Sequence, residues 1–184
     1  DEVEKLIKDV EDSSREVEER IRDLNRKAKK IVREVAERIR ELNERLKEIL
    51  DKVAEEVKRR DKELAKEIIK KVLEDVRRVH KESRDIIREV KEVLDRLHKT
   101  SEDILRKNKE LLDKVLEDIR RLPVDEEIVK RAEKRIRELK KKSDELLKRD
   151  RDSMDRIKKE LEKLTREDEE SVRRIERELK RLAD

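Results

Sequence analysis

The sequence predicts an all-α fold, a long up-down-up antiparallel three-helix bundle, nearly straight to weakly left-handed coiled coil. Three observations predict it. Apolar residues recur at helical spacing along the whole chain. Two junctions divide it into three stretches of nearly equal length. The 184 residues include no Gly, no aromatic and one Pro. A charge-rich, helix-biased composition with this period signals long helices.

The first helix is expected over residues 2–59. Its apolar seam runs from Val3 through Ile21, Ile39 and Ile49 to Val57 and advances about 3.6 residues per step. It ends on Lys58-Arg59-Arg60, where an acidic start follows at Asp61. Cations favour helix C-termini and anions favour N-termini, and Asp is a preferred N-cap. The second helix, over 62–121, carries a seam from Leu64 to Leu122 of about the same period. Doublets such as Ile68-Ile69, Ile86-Ile87 and Leu111-Leu112 widen it to the stripe a three-helix core needs. The basic-to-acidic junction returns around Pro123, which blocks helix continuation, and Asp125 is the expected N-cap of a third helix over 126–182. Its seam, Val129 to Leu182, has a period of about 3.5.

At 1.5 Å per residue each helix is expected to be roughly 85–90 Å long. A period near 3.6 imposes little supercoil, and short connections make neighbours antiparallel within one domain, residues 1–184. Ser13-Ser14, Thr100-Ser101 and Ser143-Asp144 resemble N-caps. The apolar phase passes through each without a shift, and no Gly or Pro ends a helix there. No internal repeat of 20–50 residues suggests a solenoid.

Composition excludes several classes. There are 57 basic and 53 acidic residues, a net charge of +4. They intermix along every helix, as on a solvated face. With no basic block and no aromatics to stack on bases, nucleic-acid binding is not expected. No apolar run is long enough for a membrane span or signal peptide. The absence of Cys removes disulfides and thiol chemistry.

The informative residues are polar ones at or beside the seam. With turns near 60 and 123, Ser14 falls level with Asn108 and Ser143. Asn25 falls level with His98 and Asp150, with Ser101 and Ser153 one turn away. Asn43 falls level with His80 and Asp168, with Ser83, Thr165 and Ser171 nearby. A buried polar group left unpaired costs about 1–3 kcal/mol. These residues are therefore expected to bond one another in three layers that tie helix register together. The alternative places them at the edge of the stripe, facing water. Each cluster has one His at most, too few ligands for zinc. Ser, His and Asp co-occur, but in a solid bundle without an oxyanion hole. No catalytic, cofactor or metal site is expected.

The equal helices, the short residue palette, the capped turns and the polar layers together resemble the de novo designed helical bundles built on parametric backbones with buried hydrogen-bond networks. The resemblance covers all 184 residues; loops without Gly depart from it. It implies a synthetic, soluble scaffold with no natural biochemical function, expected in the cytoplasm on recombinant expression, and no required partner. A monomer is expected, with a homo-oligomer as the alternative. Unfolding is expected to need more than roughly 5 M guanidinium. The rivals are a natural coiled-coil or spectrin-like spacer, a binding module with an exposed groove, and a bundle whose His layers respond to pH.

Overall fold

The computed structural model describes residues 2–184. Three helices hold almost all of them: α1 (Glu2–Lys58), α2 (Lys62–Arg121) and α3 (Glu126–Ala183). No strand occurs among the described residues. Acidic residues fill the first turns (Glu2 and Glu4, Glu63, Glu126 and Glu127), and Lys58, Arg121 and Arg181 stand in the last ones. Each charge opposes the partial charge of the helix end it occupies.

Both reversals are made without glycine. After α1, the Arg59 N–H donates to the Glu56 carbonyl at 3.1 Å and the Arg60 N–H to the Val57 carbonyl at 3.3 Å. These i→i+3 bonds tighten the last turn and satisfy its carbonyls. Asp61 then caps α2, its Oδ1 accepting from the Leu64 N–H at 2.9 Å and its carbonyl from the Ala65 N–H at 3.0 Å. After α2, the Val124 N–H reaches back to the Leu122 carbonyl at 2.9 Å, a three-residue turn centred on Pro123. The fixed φ of proline suits such a turn. No described residue has a positive φ, so neither reversal uses the conformation for which glycine is favoured.

The chain divides into two compact units, and the division falls inside all three helices. The first unit holds the residues up to Lys29 and Leu94–Arg156; the second holds Lys30–Val93 and Ile157–Asp184. In the first unit, Val3 and Val10 pack with Leu112, Leu116 and Ile119 and with Ala132, Ile136 and Leu139. A second cluster there joins Val17 and Ile21 to Ile104 and Leu105. Low numbers on α1 thus meet high numbers on α2. Between α1 and α3 the order is parallel, since Glu11 pairs with Arg135 and Asn25 with Ser153. In the second unit, Leu46 and Val53 pack with Ile69 and Val76 and with Val172, Ile175 and Leu179.

The apolar stripe departs from expectation at Leu64 and Leu111 of α2, both 39% exposed, and on α1, where Val32 is buried and Ile31 only half-buried and the phase shifts again near Ile49. Ile49, expected inside, is 37% exposed, and Leu50 packs against the core instead. Adjacent helical residues point about 100° apart, so a one-residue error in phase moves a side chain off the stripe.

Candidate functional site

Among the described residues, six polar side chains are buried in the aliphatic core: Ser83, Ser101, Asn108, Ser143, Asp150 and Asp168. All six belong to the sets expected from the sequence. The other members, Ser14, Asn25, Asn43, His80, His98, Ser153, Thr165 and Ser171, are half-buried.

The structure brings together some members of each set. In the first unit, Asn108 Nδ2 donates to Ser14 Oγ at 3.4 Å, joining α2 to α1. Ser143 is 3% exposed at this layer, yet its hydroxyl has no partner, and Asn108 Oδ1 has none either. The layer lies in sequence between the two apolar clusters of the unit, one ending at Val10 and Leu112, the other beginning at Val17 and Leu105.

The second set, also in the first unit, forms two separate contacts. His98 Nδ1 lies 2.7 Å from Asp150 Oδ2, and Ser153 Oγ donates to Asn25 Oδ1 at 2.7 Å. No bond links Asn25 to His98 among the described residues. Instead His98 Nε2 lies 2.9 Å from Glu102 Oε1, four residues on, and Arg151 approaches the same carboxylate at 3.6 Å. Sequence reasoning missed Glu102, although the i,i+4 spacing to His98 was there to be read.

The third set lies in the second unit. His80 Nδ1 is 3.1 Å from Asp168 Oδ2, and the Asn43 amide helps hold the Asp168 carboxylate in its charged form. Asn43 Oδ1 and Asp168 Oδ1 remain buried without a close partner. Thr165 takes no part in the cross-helix contacts; its hydroxyl donates to the Leu161 carbonyl at 2.8 Å, within its own helix.

The two histidine sets are copies of one pattern. Asn25 and Asn43, His98 and His80, Ser101 and Ser83, Asp150 and Asp168, and Ser153 and Ser171 each stand eighteen residues apart. Eighteen residues are five turns of an α-helix, so each pair lies on one face. The Ser14, Asn108 and Ser143 layer has no such copy: eighteen residues along from each stand Val32, Val90 and Leu161, all buried.

Burial pushes the Asp150 carboxyl above its ordinary value, opposed by the hydrogen bond and charge of His98 and reinforced by Glu102. Burial does the same to Asp168, opposed by His80 and Asn43 and reinforced by Glu169. Removing charge from water is the dominant cause in both. A neutral imidazole has one N–H. Both His98 contacts are therefore hydrogen bonds only when the ring carries two protons or one of the carboxyls carries one. With a carboxylate at each nitrogen, the ring has no position left to take a proton from serine. The two carboxylates approach opposite sides of the ring rather than a common point. No group of three or more His, Asp or Glu suited to holding a metal ion occurs among the described residues. No described helix is long and apolar enough to cross a membrane.

No family model matches the chain, and no curated protein matches it. Among solved structures it is similar to one described as a computationally designed three helix bundle, at 23% identity, covering 100% of this chain and 86% of that one, with a TM-score of 0.45.

Proposed function

We propose that the chain is a designed, single-domain, up-down-up three-helix scaffold, monomeric and stable to guanidinium. Its polar layers select one arrangement of the helices, and it neither turns over a substrate nor needs a cofactor, a nucleic acid or a membrane. One observation carries the reading. The same five polar residues, Asn, His, Ser, Asp and Ser, recur eighteen residues apart across three helices, and the His–Asp contact forms in both copies. Repeated polar side chains in an aliphatic core are costly unless matched, so each copy favours the arrangement that pairs its donors and acceptors. The composition supports design: a chain of this length at an average Gly usage of about 7% would carry roughly 13 glycines, and this one has none.

Sedimentation equilibrium tests the proposal. The chain is expected at its monomer mass of 22.5 kDa. A variant with His80, His98, Asn108, Asp150 and Asp168 all changed to Leu is expected to associate into more than one species. A monomeric variant indistinguishable from the parent removes the specificity role, and an oligomeric parent removes the monomer.

A second reading, a pH-responsive bundle, is favoured by the upward direction of both aspartate shifts. A carboxyl raised on folding gives a contribution that is complete below its unfolded value. That contribution is lost as pH rises through the folded value. Rising pH therefore strains these two positions, and falling pH relieves them.

A further inference from the structure

The Ser14, Asn108 and Ser143 layer contains two buried polar atoms with no partner in the protein, Asn108 Oδ1 and Ser143 Oγ, on residues 5% and 3% exposed. They belong to different helices, and the third helix supplies Ser14, whose hydroxyl oxygen already accepts from Asn108 Nδ2 and keeps its own hydrogen to give. All three residues line one cavity of about 60 Å³, whose apolar walls are Val17, Leu139 and Leu146.

We propose that this layer is a binding site for internal water, with space above the roughly 10–15 Å³ that one molecule requires. A water here donates to Asn108 Oδ1 and accepts from the Ser14 and Ser143 hydroxyls, within the two to four bonds an internal water makes. The chemistry selects water over other occupants. An apolar molecule would leave both orphaned atoms unmet, and the charged residues that also line the cavity carry both signs, Glu11 and Glu18 against Arg15, Arg135 and Lys142, so neither a cation nor an anion is singled out. The Arg135 guanidinium nearby is already engaged by Glu11 at 2.7 Å and Glu138 at 3.1 Å. The aliphatic counterpart, Val32, Val90 and Leu161, carries no polar atom at the equivalent positions and creates no such demand.

Oxygen-17 magnetic relaxation dispersion counts long-lived waters without interference from hydroxyl exchange. Copying the aliphatic counterpart, as Ser14→Val, Asn108→Val and Ser143→Leu together, gives the comparison protein. Its dispersion amplitude is expected to fall below the parent's by the equivalent of at least one water. An unchanged amplitude in a variant that keeps its helical circular dichroism overturns the site. A crystal structure of the parent provides a second reading that does not depend on the variant. Density bonded to both Asn108 Oδ1 and Ser143 Oγ supports the proposal. An empty cavity, or a Ser143 hydroxyl turned onto a carbonyl of its own helix, overturns it.

Discussion

The two histidine layers share the same residue at five matching positions, yet they do not bond alike. His98 stands between two carboxylates, Asp150 at 2.7 Å and Glu102 at 2.9 Å. His80 meets one, Asp168 at 3.1 Å. The reason lies outside the shared set. Four residues after His98 comes Glu102, and four after His80 comes Arg84. The α3 neighbours reverse as well, Arg151 beside Asp150 and Glu169 beside Asp168. Each layer thus has one acidic and one basic neighbour, with the two signs exchanged between α2 and α3. A buried pair is set by its core partners, but the protons it holds depend on the charges at its rim.

The largest test asks whether the unit holding each layer stands on its own. Leu112 and Leu179 are both fully buried, one in each unit. Each change to Ala should cost about 2–5 kcal/mol. On the single-domain proposal, both variants show one shared unfolding transition by circular dichroism and by amide exchange. Two transitions, only one of them shifted, would break that proposal.

Next in size are the histidines. His98→Ala removes the imidazole from Asp150 and leaves the partly exposed Glu102 only Arg151, whereas His80→Ala leaves Asp168 the Asn43 amide. A buried acceptor that loses its partner costs roughly 1–3 kcal/mol, so both variants lose stability in that range and His98→Ala loses more. Guanidinium melts at pH 7 decide, and the reverse order contradicts the role given to Glu102.

The pH response follows from the aspartates. Burial raises both carboxyls, so the Asp150→Asn, Asp168→Asn variant should be more stable than the parent by a gap that is widest near neutral pH. The gap narrows as pH falls toward the ordinary carboxylate range. Melts across that range check the sign, and a gap that widens on acidification would mean the ion pairs outweigh burial.

The smallest effect comes from repairing the difference. Arg84→Glu places a carboxylate four residues after His80, as Glu102 follows His98. An exposed i,i+4 pair is worth roughly 0.3–0.5 kcal/mol and weakens with salt. A gain of that size that vanishes at high salt assigns the asymmetry to the rim. A salt-independent change assigns it to the core.

Much of this was legible in the sequence. Periodicity, the charge switch at Arg60-Asp61 and the break at Pro123 specify where the helices begin and end, because caps and dipoles act locally. Leveling the chain about its turns finds the pairs Ser14–Asn108, His98–Asp150 and His80–Asp168, because α-helical rise is constant. What stayed hidden depends on rotation and side-chain reach. Asn25 bonds Ser153 rather than His98, Thr165 folds back on its own helix, and Ile49 turns outward. The eighteen-residue pattern is present in the sequence, but a period below 20 residues escapes a search tuned to supersecondary repeats.

The claim that polar layers select one helix arrangement is most directly tested by the methyl NMR spectrum of a variant in which the Asn, His and Asp members of all three layers, with Ser14 and Ser143, are aliphatic. That variant joins the Val, Val and Leu copy of the first layer to Leu at Asn25, Asn43, His80, His98, Asp150 and Asp168. The parent should give one sharp set of Leu, Ile and Val methyl signals, and the variant broadened or multiple sets at undiminished helicity, as expected of a core that keeps its stability and loses uniqueness. A single sharp set from the variant would contradict the claim.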